Sequence, residues 1–124
     1  MDLVTANTIL YCSRWDAAVV FYRDGLGLPI LFSTDWFVEF RLSPDSRLSV
    51  ADETCASVKS SGGAGITVSL EVDDVEATWK LVAQRGLEPT AIRDHPWQAR
   101  VFYLFDPEGH RIEIWQRSQG AAQA

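Results

Sequence analysis

Two glutamates and a set of tryptophans occupy positions where side-chain type and spacing suggest chemistry. Glu71 closes the alternating run Thr67-Val68-Ser69-Leu70-Glu71, and Glu113 stands between Ile112 and Ile114. Alternation of this kind in an extended strand sends neighbouring side chains to opposite faces. A pair of carboxylates sharing one face, with one member's pKa raised, suits proton abstraction beside a carbonyl. The competing reading is a structural ion pair of Glu71 or Glu113 with Arg111, Arg100 or Arg47, which is the commoner arrangement.

The aromatic residues are more informative. Five tryptophans are many for 124 residues. Trp79 falls on an apolar helical stripe and Trp15 near a helix start, so both read as packing. Trp36 follows the turn-like Ser33-Thr34-Asp35, Trp97 lies in the loop Asp94-His95-Pro96-Trp97-Gln98, and Trp115 alternates with Ile112 and Ile114 on the side of Glu113. Tryptophans at loop edges expose one end, as a ring that stacks on a ligand must. For Trp36 and Trp97 a dimer contact or a core rim competes with ligand stacking. His95 and His110 lie in or beside loops, where solvated surface histidines are usual. Cys12 and Cys55 show no CxxC spacing and receive no role. Neither a Ser-His-Asp ordering nor a phosphate-cradling glycine loop follows the first strand.

Eleven Lys and Arg against seventeen Asp and Glu give a net charge of −6. Such a balance argues against nucleic acid as a partner, because phosphate neutralisation needs a basic surface. It is compatible with a cationic ligand, and equally with acidity for solubility alone. A hydrophobic share of 47% and a charged share of 23% exclude a disordered or fibrous chain. The longest apolar run, Ala17 to Tyr22, is far below the roughly 20 residues of a membrane span. The chain opens without the pattern of a secretion signal, so the expected location is the cytoplasm.

These side chains are positioned by a duplicated unit. Residues 7–12 align with 67–72 at an offset of sixty (67 − 7), Trp15-Asp16-Ala17 with Val75-Glu76-Ala77, and Phe21-Tyr22 with Leu81-Val82. Gly27-Leu28 meets Gly86-Leu87, and Arg47-Leu48-Ser49-Val50 meets Arg111-Ile112-Glu113-Ile114, in the same order. Each unit opens on a strand whose odd residues (Asn7, Ile9 and Tyr11 in the first; Thr67, Ser69 and Glu71 in the second) share a face. A helix follows, started by Ser13 or Asp16 in one unit and by Asp73 or Asp74 in the other, with glycines closing each. Three further strands are expected around Ile30–Phe32, Trp36–Leu42 and Arg47–Ala51, and around Thr90–Ile92, Arg100–Phe105 and Arg111–Gln116. The pattern is βαβββ twice over, in one α+β domain spanning 1–124. Its units cover about 5–56 and 65–117, joined by a Gly/Ser linker at 57–65 and followed by a frayed tail at 118–124.

A βαβββ duplication that carries Phe21-Tyr22-Arg23-Asp24-Gly25-Leu26-Gly27-Leu28 and ends in Asp106-Pro107-Glu108-Gly109-His110-Arg111-Ile112-Glu113-Ile114-Trp115 resembles the vicinal oxygen chelate superfamily. That superfamily includes glyoxalases, extradiol dioxygenases and bleomycin-resistance proteins, and the resemblance runs from about residue 5 to 117. It implies a glyoxalase/bleomycin-resistance-like module with a curved mixed sheet, and a homodimer. It also implies that Asn7, Ser49, Thr67 and Glu113, the family's metal positions, converge on a shared cavity. Of these four, Glu113 alone is a good ligand, since divalent metals want imidazole or carboxylate. The expectation is therefore no metal and no other cofactor; a register shift would bring in Glu39 or Glu71. Asp35-Trp36 and Pro96-Trp97 resemble the Asp-Phe and Pro-Trp-Gly of the bleomycin-resistance branch, with Gln98 in place of the glycine.

Two functions are carried forward. One is a binding protein that sequesters a planar aromatic, cation-compatible and antibiotic-like small molecule without changing it. Its expected contacts are Trp36, Trp97, Trp115, Asn7, Tyr11, Ser49, Thr67, Glu71 and Glu113. The other is a metal-dependent lyase, isomerase or dioxygenase on the same scaffold; the sequence assigns no catalytic residue, and Glu113 is the one candidate if catalysis occurs. The enzyme needs at least three good ligands and the family positions offer one, which favours the first.

Overall fold

The computed structural model describes residues 1–118. Residues 1–64 form one compact unit, and a second begins at Gly65. This division falls within the Gly/Ser segment. The tail expected to fray lies, from residue 119 onward, outside the described residues.

Unit 1 runs β1 (Ala6–Cys12), α1 (Trp15–Val20) continuing into a π turn (Phe21–Gly25), β2 (Ile30–Ser33), β3 (Phe37–Ser43), β4 (Ser46–Asp52) and a 3₁₀ turn (Glu53–Cys55). Unit 2 runs β5 (Thr67–Glu71), α2 (Val75–Gln84), β6 (Arg93–His95), β7 (Ala99–Phe105) and β8 (Arg111–Arg117). Both are βαβββ. Each forms a four-stranded mixed sheet, in the order β1-β4-β3-β2 or β5-β8-β7-β6. In both the first strand lies parallel to the last, and the other pairs are antiparallel.

The core of each unit lies on the helix side of its sheet, built from the apolar phase of the alternation. In unit 1 Leu10, Cys12, Val38, Phe40, Leu48 and Val50 are buried with Ala18, Phe21 and Tyr22. The Tyr22 ring meets Phe21 edge-on at 4.9 Å and Phe40 at 5.9 Å. In unit 2 Phe102, Leu104, Ile112 and Ile114 are buried with Val75 and Val82 of α2. No described helix is long and apolar enough to cross a membrane.

Three local expectations are corrected. Helix α1 begins at Trp15 with Arg14 as its cap residue and no side-chain cap hydrogen bond there. Its first turn is tied instead by Ala18 N–H to the Arg14 carbonyl at 3.0 Å and by the Trp15 indole N–H to the Val50 carbonyl, also 3.0 Å. The strand expected at Thr90–Ile92 forms three residues later, at Arg93–His95. Thr90 still holds to β7, its N–H donating to the Tyr103 carbonyl at 3.0 Å, while its own carbonyl accepts from the Trp79 indole at 2.8 Å. Trp79 is accordingly half-buried at the helix flank and not in the core. Helix α2 does start as expected, with Asp74 Oδ1 accepting from Ala77 N–H at 3.0 Å.

Candidate functional site

The sheet faces opposite the two cores carry nearly all the residues singled out from the sequence. In unit 1 the register sets side chains in rows: Asn7 with Arg47 and Arg41, Ile9 with Ser49, Glu39 and Phe32, and Tyr11 with Ala51 and Phe37. The Ser49 hydroxyl donates to Asn7 Oδ1 at 2.8 Å, and Ser49 is 0% exposed. Glu39 pairs with Arg47 at 3.4 Å. At the third row a cleft of about 360 Å³ opens, lined by Ile9, Tyr11, Trp36, Phe37, Ala51 and the 55–57 turn. Trp36 is held edge-on against Phe37, with centroids 5.8 Å apart and planes at 67°. Its backbone N–H is turned by a bond to Thr34 Oγ1 at 3.3 Å.

Unit 2 repeats this layout with different chemistry. Its rows are Thr67, Arg111 and Phe105; Ser69, Glu113 and Tyr103; Glu71, Trp115, Val101 and Arg93; then Arg117, Ala99 and His95. The Ser69 hydroxyl donates to Glu113 Oε1 at 2.6 Å, and the Tyr103 hydroxyl lies 3.5 Å from Oε2. Arg111 Nε donates to Thr67 Oγ1 at 3.0 Å, its guanidinium 4.7 Å from the centre of the Tyr103 ring. Glu71 approaches Arg117 at 3.8 Å. Trp97, half exposed, meets Trp115 edge-on at 5.2 Å and His95 at 5.8 Å.

The structure therefore brings Asn7 to Ser49, Trp36 to Tyr11, and Trp97 to Trp115, each within its own unit. The arginines proposed to neutralise Glu71 and Glu113 are used differently. Arg47 meets Glu39, Arg100 meets Glu76 at 2.8 Å and Asp94 at 3.6 Å, and Arg111 meets Thr67. Arg117, not among them, takes Glu71. His110, expected at the surface, is 1% exposed and bonds Asp106 Oδ2 through Nδ1 at 2.8 Å. Asp106 Oδ1 accepts from the backbone N–H groups of Glu108 and His110, so the turn before β8 closes around one buried carboxylate. Gly109, at φ 99°, provides the left-handed step this turn needs.

Phe37, Ile9 and the 55–57 turn were missed from the sequence. Phe37 was within reach, because it alternates with Glu39 and Arg41. The turn was not, since it reaches the cleft only through tertiary folding.

The metal implied by the resemblance does not fit the donors present. Asn7 Oδ1 accepts from Ser49 and Thr67 Oγ1 accepts from Arg111, leaving Glu113 as the single carboxylate or imidazole at the four family positions. Glu39 and Glu71, the shifted-register substitutes, face arginines. Among the described residues no group of three or more His, Cys, Asp and Glu gathers as a metal would require.

A family model described as Glyoxalase/Bleomycin resistance protein/Dioxygenase superfamily matches residues 4–114. The uncharacterized protein YraH of Bacillus subtilis (strain 168) is 27% identical over 119 residues, covering 86% of this chain and 93% of YraH. Among solved structures, TnmS3, an antibiotic binding protein from Streptomyces sp. CB03234, superposes with a TM-score of 0.77 at 21% identity, covering 95% of this chain and 97% of TnmS3. Lactoylglutathione lyase from Agrobacterium tumefaciens gives 0.74 at 21%, covering 90% and 91%. At such identities the likeness establishes the fold, which hosts both binding and catalysis.

Proposed function

Because the chain belongs to the Glyoxalase/Bleomycin resistance protein/Dioxygenase superfamily, we propose that it is a small-molecule-binding protein that sequesters a planar aromatic, antibiotic-like ligand without metal and without chemical change. One observation carries this reading: the cleft of about 360 Å³ walled by Trp36, Tyr11 and Phe37. It sits at the small end of the roughly 300–1,000 Å³ range of ligand clefts, so it suits one ring system of a larger molecule. Trp36, braced by Phe37, offers a ring whose orientation is set before a guest arrives. A guest ring stacked on it gains about 0.5–1.5 kcal/mol beyond buried area. The Trp97–Trp115 pair supplies a second aromatic surface. On the face of unit 1 Asn7, oriented by the buried Ser49, is a candidate polar contact, and on the face of unit 2 Thr67, Glu71 and Glu113 are. The TnmS3 likeness agrees with this assignment without carrying it. The proposal includes a homodimer, for which the exposed apolar edge strand β2 (Ile30, Leu31, Phe32) is a reason.

The test is tryptophan fluorescence titrated with bleomycin and with flat aromatic dyes, in the native chain and in Trp36→Ala and Trp97→Ala. Loss of about tenfold in affinity for Trp36→Ala is expected, the upper end of one lost stack. If both variants fold and bind every positive ligand as tightly as the native chain, the two rings are packing or dimer residues. Stoichiometric metal retained through dialysis would replace this reading by the metal-dependent lyase, isomerase or dioxygenase.

A further inference from the structure

The chain has seventeen acidic residues against eleven Lys and Arg, but the two sheet faces reverse that balance. Unit 2 presents Arg93, Arg111 and Arg117 against Glu71 and Glu113. Unit 1 presents Arg41 and Arg47 against Glu39. The acidic excess lies on other surfaces, so the net charge of the chain is a poor guide to what these faces bind.

One arginine is held in an unusual way. Arg47 and Arg117 each face a glutamate. Arg111 forms no ion pair with any carboxylate of the described residues. It is exposed, yet fixed at two points: Nε donates to Thr67 Oγ1, and the guanidinium lies over the Tyr103 ring. Those contacts leave its terminal nitrogens to donate elsewhere. A planar fork, oriented in advance and without a counter-ion, matches a carboxylate in bidentate geometry. Along β8 the same face then presents Glu113 and Trp115, each two residues further and so about 7 Å on. Glu113 already accepts from Ser69, which eases its repulsion of a nearby anion, and it remains an acceptor for a ligand hydroxyl.

We propose that Arg111 is an anion-recognition residue, and that the face of unit 2 takes a planar aromatic carboxylic acid with its acid group on Arg111 and its ring toward Trp115. The ring contact rests on the aromatic-ligand reading above; the acid contact does not. The roughly 13 Å from Arg111 to Trp115 along the strand calls for a fused-ring acid more than a single ring.

The experiment compares 6-hydroxy-2-naphthoate with its neutral carboxamide, using the ¹⁵N-labelled full chain and following the Arg111 Nε–H and tryptophan indole N–H signals by NMR. The acid should bind about tenfold tighter than the amide or better, the worth of one charge-assisted contact. It should move the Arg111 signal saturably, and Arg111→Gln should remove the preference. Arg111→Lys, which keeps the charge and loses the fork, should retain part of it. Equal affinity for acid and amide, a preference that survives in Arg111→Gln, or no saturable Arg111 shift each overturns the inference. If the Arg111 signal saturates while no indole signal moves, the acid subsite stands and the ring contact with Trp115 fails, while the Trp36 cleft is judged by its own titration.

Discussion

Replacing Asp106 by Ala should destabilise the protein by about 3–5 kcal/mol, enough to threaten a domain of ordinary stability. Asp106 is 4% exposed. Its Oδ1 accepts from Glu108 N–H at 3.0 Å and His110 N–H at 2.9 Å, and its Oδ2 lies 2.8 Å from His110 Nδ1. Alanine leaves two backbone donors and one imidazole nitrogen without this partner, at about 1–3 kcal/mol for each buried group left unsatisfied. Entry of water into the turn recovers some of that, which sets the range below the simple sum. Asp106→Asn is the control. Its amide oxygen keeps both backbone contacts, and its amide N–H₂ can face His110 Nδ1 once the imidazole takes its other tautomer, so about 1 kcal/mol is expected. Urea unfolding followed by tryptophan fluorescence and circular dichroism measures both. The reasoning is refuted if Ala lies within about 1 kcal/mol of native, or if Asn is as damaging as Ala. The turn launches β8, so the same variants should loosen Arg111, Glu113 and Trp115 together.

Three further outcomes are expected. Gln98 holds φ at 61°, a left-handed conformation that disfavours side chains by roughly 1–2 kcal/mol, so Gln98→Gly should stabilise by about 0.5–1 kcal/mol after glycine's own entropy loss; a lower calorimetric Tm would contradict this. A hydrogen bond from the Arg23 guanidinium holds the Asp24 carboxyl below its ordinary range, so its contribution is present above the usual aspartate pKa and fades as pH falls through the lowered value. Both side chains are about half exposed and screened, so Asp24→Asn should leave the urea midpoint at neutral pH unchanged, and a clear drop at low salt would show the pair to be structural. Sedimentation equilibrium at micromolar concentration should give twice the 13.9 kDa chain mass; a species of 13.9 kDa would exclude the homodimer.

Most of the framework was legible in the linear sequence. The sixty-residue offset marks the two units, and the division in the structure falls within the Gly/Ser segment that separates them. Alternation in 7–12 and 67–72 gave the strand faces, and the Asp106-Pro107-Glu108-Gly109 turn fell where proline and glycine require it. Asp74 was legible as a cap because its carboxylate serves a backbone N–H three residues away. All of these depend on interactions within a few residues, where backbone geometry leaves little choice.

What the sequence left open is which partner each charged or polar group takes across the sheet. Glu71 meets Arg117 and Arg111 meets Thr67, although Arg111, Arg100 and Arg47 were equally plausible partners for the glutamates by composition. The strand expected at Thr90–Ile92 forms at Arg93–His95 instead, and the Thr90 carbonyl goes to an indole eleven residues back while its N–H still bonds Tyr103. His110 is buried because the turn folds around Asp106, although histidines beside loops are usually solvated. Even the excess of acid in the composition says nothing of the arginine-rich faces. Type and period are intrinsic to the local chain and can be read from it. Pairing depends on strand register and on long, flexible side chains reaching between elements distant in sequence, and only the folded backbone sets those distances.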